Sequence, residues 1–222
     1  QGAAPTHQEL LDWLAFEFLS SDWDVKRLLK LMVMSATYRQ SSIAASSTRE
    51  VDPENVLLSR APSYRLPAEM IRDNALAVSG LLERKIGGAP VKPYEVAVSF
   101  KPLERDKGQG LYRRSLYTFW KRTAPAPVMM TLDAAKREVC AVKRERTSSP
   151  LQALVLLNDP QFVEAARVLA QRLIAKHGDQ PTEIVRQAFE ELTSREATPY
   201  EMQILTNLWS QQLRYFQDNP ER

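Results

Sequence analysis

Apolar residues recur with helical spacing through most of this chain, and that period decides what it can fold into. Val25, Leu28, Leu29, Met32, Val33 and Ala36 fall at i, i+3, i+4 intervals, with Lys26, Arg27 and Lys30 between them. A half-buried strand would alternate instead, so the pattern demands an amphipathic α-helix with its stripe against another element. Leu10, Leu11, Leu14 and Phe18 mark an earlier helix. Met70, Ile71, Val78, Leu81 and Leu82 mark a later one, opened by Pro67 and stopped at Gly87-Gly88. Phe162, Val163, Ala166, Leu169, Ala170, Leu173 and Ile174 give another, ended by Gly178, and Ile184, Val185, Ala188, Phe189 and Leu192 the next. The expectation is an all-α chain of about eight helices and little strand.

Start signals support several of these elements. Asp24 is placed to cap the second helix. Ser149-Pro150, Asp159-Pro160 and Thr198-Pro199-Tyr200-Glu201 each put a capping residue before a proline at the first helical position, and the last is a capping box. Asp52-Pro53 reads the same way, as the start of a short helix through Arg60, after a polar loop over Gln40–Thr48. Ala89–Gly110 carries Pro90, Pro93, Pro102, Gly108 and Gly110 with no period, and reads as a long central loop. Leu111–Arg122 suits a helix by the spacing of Tyr112, Leu116, Phe119 and Trp120, and its aromatic density also suits a strand; helix is the favoured reading. Ala124–Val128 is a proline-rich connector. The chain is expected to form one helical domain over 1–222, with a soft boundary at 89–110.

Composition removes several chemistries. One Cys forbids an internal disulfide or a cysteine metal cluster, and two distant His, His7 and His177, argue against a multi-histidine metal site. Seven Gly argue against a glycine-rich nucleotide fold. The uncharged stretch Thr147–Asn158 is well short of the ~20 apolar residues of a membrane span. A net charge of +3 argues against nucleic acid as partner. The charge is uneven: from Lys101 to Arg146, twelve Lys and Arg face five Asp and Glu. That excess implies an anionic partner or an internal ion-pair network.

The run from Tyr112 to Arg122 interleaves Arg113, Arg114, Lys121 and Arg122 with Tyr117, Phe119 and Trp120. Such a run can hold phosphates or stack on sugar rings, or it can be core with its arginines paired inward. Glu69 and Asp73 share one helical face, open either to acid–base work or to pairing with Arg72. Cys140 lies between Val139, Ala141 and Val142, with no His nearby in sequence, and is expected to be a buried structural thiol. His177 suits the cationic end of a helix.

The blocks W-D-V-K, S-A-T-Y-R-Q-S, R-R-S-L-Y and R-x-R-T-x-x-P-L-Q-A-L-x-L-L-N-D-P occur in that order, within a stretch from His7 to about Glu201. This resembles a family abundant in planctomycetes: a C-terminal domain of unknown function in large exported proteins that often carry a cytochrome-c-like domain. The resemblance implies an exported chain, in the periplasm or cell envelope, that is one part of a larger protein with other domains around it. It implies no established activity. With no Cys-x-x-Cys-His, no cofactor is expected in this chain, and any haem would belong to another domain of the parent. The candidate site residues of the matching blocks and segments are Arg72, Asp73, Arg113, Arg114, Tyr117, Trp120, Asp133, Arg144, Arg146, Asn158 and Asp159. They form either a buried network or the lining of a cleft. The leading expectation is a non-catalytic binding or scaffolding module whose partner is a neighbouring domain or an anionic polysaccharide. The alternative is a hydrolase-like enzyme domain with an Arg/Asp/Glu-lined cleft acting on an envelope polysaccharide.

Overall fold

The computed structural model describes residues 4–95, 104–138, 140–141 and 144–221. Among them are nine α-helices, two short 3-10 turns and no strand beyond isolated bridges, so the fold is all-α. The chain divides into two compact units, Gln1–Arg65 and Leu66–Arg222. The expected boundary region at 89–110 lies inside the second, and residues 96–103 of the expected loop lie outside the described residues.

The first unit contains α1 (Gln8–Ser20), α2 (Val25–Met34) and α3 (Ser46–Val51). Asp22 and Trp23 take left-handed φ of 56° and 60°, turning the chain between α1 and α2, and Phe18 meets Trp23 edge-on at 5.1 Å between ring centroids. Asp24 caps α2 by accepting from the Arg27 amide at 3.0 Å, as its position predicts. Burial of the α2 stripe does not follow. Leu28 and Met32 are only half-buried, Leu29 is 51% exposed and Val33 42%. The reason is geometric: α1 and α2 form one thin layer, which covers one edge of each helix and leaves the rest open.

The helix expected from Asp52 to Arg60 is absent, and α3 lies within and just after the stretch read as loop. Asp52 is buried and accepts from the amides of Val56 and Leu57 at 2.7 and 2.8 Å, which closes turns instead of starting a helix. Asn55 and Leu58 have positive φ, and the Arg60 guanidinium donates to the carbonyls of Asp52 and Pro53, both at 2.7 Å.

The second unit holds α4 (Ala68–Ser79), α5 (Pro127–Thr131), α6 (Pro150–Asn158), α7 (Pro160–His177), α8 (Pro181–Thr193) and α9 (Pro199–Asp218). α5 to α9 each begin with proline, whose lost N–H is one the first turn cannot use. The caps at Asp159 and Thr198 form as expected, and Gln152 accepts from the Ser149 amide at 3.3 Å. α7 is the central strut, packed by α4, α6 and α8, with α9 against α8. One core cluster joins Ala68, Met129, Leu132 and Phe162; a second joins Leu169, Leu173 and Ile184.

α4 stops earlier than expected, at Gly80 with φ 85°, a left-handed cap that glycine adopts without strain. The chain after it runs beside residues 111–119: Val91 donates to the Tyr117 carbonyl at 2.8 Å and Phe119 to the Val91 carbonyl at 2.7 Å. Leu111–Arg122 is consequently not a helix. It consists of 3-10 turns at Gly108–Tyr112 and Ser115–Tyr117 inside extended chain, because its backbone groups bond to other elements.

Candidate functional site

Arg72 organises the second unit. It projects from α4, is 4% exposed, and spends four of its five N–H groups on parts of the chain remote in sequence. Nε donates to Gln161 Oε1 at 2.8 Å. Nη1 donates to the Arg113 carbonyl at 2.8 Å and to Ser115 Oγ at 3.2 Å, and Nη2 to the Leu111 carbonyl at 2.6 Å. The guanidinium thus pins the 111–115 segment and the start of α7 to α4. Burial pulls its pKa down to about 10, while Asp73 and Asp159 pull it up, so it stays charged at neutral pH.

Asp73, the next residue, accepts from Ser115 N and Oγ at 2.8 and 2.7 Å and lies 3.6 Å from Arg72 Nη1. Arg113 is also buried. Its guanidinium donates to the carbonyls of Lys85, Gly87 and Ala89 and lies 3.8 Å from the Tyr117 ring centroid, and Tyr117 Oη accepts from the Gly87 amide at 2.7 Å. Tyr112 donates to Glu164 on α7 at 2.8 Å, which raises its pKa above the ordinary phenol value.

A second polar cluster forms around Asp133, which takes a left-handed φ of 60°. Its Oδ2 accepts from Thr147 N and Oγ1 at 2.7 and 2.8 Å and from Gln152 Nε2 at 3.2 Å, tying the end of α5 to the start of α6. Trp120 is half-buried against the core with Arg137 4.8 Å from its ring. Arg144 forms a surface pair with Glu69 at 3.0 Å. Arg114 and Arg146 are exposed, and the exposed Asn158 donates to the Leu154 carbonyl one turn back. Asp159 caps α7 by accepting from Gln161 N at 3.0 Å.

The sequence-derived set is therefore not one cleft. Arg72, Asp73, Arg113 and Tyr117 form one network and Asp133 centres another. Arg113 uses loop carbonyls, and Arg144 pairs with Glu69. Both carboxylates of the i, i+4 pair are committed, Glu69 to Arg144 and Asp73 to Ser115. Cys140 is exposed, against the expected buried thiol, while Val139, Val142 and Lys143 lie outside the described residues.

A cleft of about 340 Å³ adjoins the Arg72 network. Arg72, Glu95, Arg105, Thr118, Asp159 and Gln161 supply its polar groups, and Tyr94, Met129, Phe162 and three prolines its apolar wall. Of the expected residues only Arg72 and Asp159 line it. Gln161, Arg105, Thr118 and Tyr94 were not anticipated. Gln161 had a signal, since the Asp159-Pro160 cap places it in the first turn of α7; Thr118 had none. Among the described residues no three of His, Cys, Asp and Glu converge as metal ligands, and no helix is long and apolar enough to cross a membrane.

The sequence model of a family described as PSD1, a protein of unknown function (DUF1553), matches residues 1–209. No curated protein and no solved structure matches the chain.

Proposed function

The chain belongs to the PSD1 family of proteins of unknown function, and we propose that it is a non-catalytic scaffolding module that docks against neighbouring domains of a larger protein. One observation carries the reading. Apolar residues occur on every side of α1, between Glu9, Asp12 and Glu17, yet the helix contains no buried residue: Leu10, Leu11, Trp13, Phe16 and Leu19 are all exposed, Phe16 by 67%. So many large apolar side chains open on one helix suit burial against a partner, because each one left in water forfeits the free energy of burial. Beside it lies an apolar cleft of about 680 Å³ lined by residues that include Leu10, Trp13, Met32 and Tyr38.

The charged residues fit the same reading. Arg72, Arg113, Asp73 and Asp133 are spent on internal hydrogen bonds, which hold the scaffold's shape and leave little reactive capacity. An anionic polysaccharide would have to be held by the same basic segment; with Arg113 turned inward and Arg144 on Glu69, docking to a neighbouring domain is favoured over it. Residence in an exported, planctomycete protein of the periplasm or envelope, with haem in another domain, rests on the resemblance of the sequence blocks.

Titration calorimetry of this chain against the rest of its parent protein tests the reading. A saturable complex whose heat capacity falls on binding, the mark of apolar burial, is expected. No complex at concentrations where both are folded would sink it.

A further inference from the structure

We propose that the cleft beside Arg72 binds a neutral pyranose ring, one sugar residue of a glycan. The site is distinct from the docking face on α1, and the proposal does not depend on that reading.

The cleft holds hydrogen-bonding groups that the protein leaves unfilled. Thr118 lines the cleft, is 3% exposed, and its Oγ1 has no partner. A buried hydroxyl without a partner is rare and costly, and points to a group that completes it. Arg105 lines the same cleft, makes no hydrogen bond or ion pair among the described residues, and its buried Nε is likewise unpartnered. One Nη2 N–H of Arg72 remains beyond its four bonds. On the accepting side, Asp159 uses Oδ1 for the Gln161 amide and leaves Oδ2 free. Donors, an acceptor and a hydroxyl that is both therefore meet at one cleft.

Charge selects the ligand class. A carboxylate or phosphate would satisfy Arg105 and Arg72 but would face Asp159 and Glu95. An ammonium would satisfy the carboxylates and face the two arginines. A neutral ring with vicinal hydroxyls serves both sets, since each hydroxyl donates and accepts. The remaining wall suits the apolar face of such a ring: Tyr94, Phe162, Pro93 and Pro160 present flat carbon surface. The volume falls in the range of small-ligand sites, about 300–1,000 Å³.

The test is saturation-transfer NMR on the whole chain with four probes. Cello- and chito-oligosaccharides are neutral, oligogalacturonate is anionic and deacetylated chitosan oligomer is cationic. At least one neutral probe is expected to bind saturably and more tightly than either charged one. Arg105→Gln and Thr118→Val should each weaken it about tenfold, the worth of one hydrogen-bond partner. Thr118→Val orphans no protein group, because its hydroxyl holds none, so it should melt no lower than the parent. Arg114→Ala, exposed and outside the cleft, should bind as the parent does. The proposal is overturned if no neutral probe binds, if a charged probe binds more tightly, or if Arg105→Gln and Thr118→Val both retain parental affinity.

Discussion

Replacing Arg72 by Met should lower the melting temperature of the second unit. Met keeps much of the side-chain volume and removes every donor. The carbonyls of Leu111 and Arg113 then lose their guanidinium partner in a site where Arg72 itself is 4% exposed. Each buried carbonyl left unsatisfied costs about 1–3 kcal/mol, and Asp73 and Asp159 lose their nearby positive charge. Removing one member of a buried charged pair costs about 3–5 kcal/mol, so we take about 4 kcal/mol here. For a unit of this size that lowers Tm by about 8–16 °C. Arg72→Lys should recover only part of the loss, because an ammonium cannot fork to carbonyls and side chains on separate segments. Glu69→Gln, which breaks the exposed pair with Arg144, should cost at most ~1 kcal/mol. Near-ultraviolet circular dichroism melts read all three. An Arg72→Met Tm within about 3 °C of the parent would refute the reasoning, since the hub would then contribute no more than a surface pair.

Two further outcomes follow from the same geometry. Cys140 is exposed, so a maleimide should label the native chain as readily as the unfolded one; labelling only after denaturation would contradict its placement. Glu201 accepts from Arg195 and from the Thr198 cap, which holds its pKa at about 2, below the ordinary 4.5. A depressed carboxylate stabilises the fold above the unfolded pKa, and that contribution is lost as pH falls through about 2. The start of α9 should accordingly loosen between about pH 4.5 and 2, and an NMR titration of Glu201 with its midpoint near 4.5 would disprove the coupling.

What was legible in the sequence divides by physical cause. Local signals read well: Asp24, Asp159 and Thr198 cap the helices their positions predict, because capping depends only on the next few amides. The same cue failed at Asp52-Pro53, where Asn55 and Leu58 take left-handed backbone and Arg60 folds back on the carbonyls. Leu111–Arg122 has the spacing of a helix and is not one, because its form is set by Arg72, Asp73 and Val91, which are distant in sequence. Arg72, Asp73 and Arg113 are recognisable as polar residues embedded among apolar ones, but their partners are main-chain carbonyls, a serine and a glutamine, which leave no charge pattern in the sequence. Thr118 and Arg105 could not be found in advance, since what marks them is the absence of a partner. The α2 stripe predicts its helix but not its burial, because periodicity reports that a face is apolar and not what covers it.

The central claim is that the open apolar faces of the first unit are docking surface. Hydroxyl-radical footprinting of the isolated chain and of the intact parent protein, compared residue by residue, tests it most directly. Trp13, Phe16, Trp23 and Met34, all exposed here, should oxidise readily in the isolated chain and be strongly protected in the parent. Equal oxidation of these four residues in both would contradict the account.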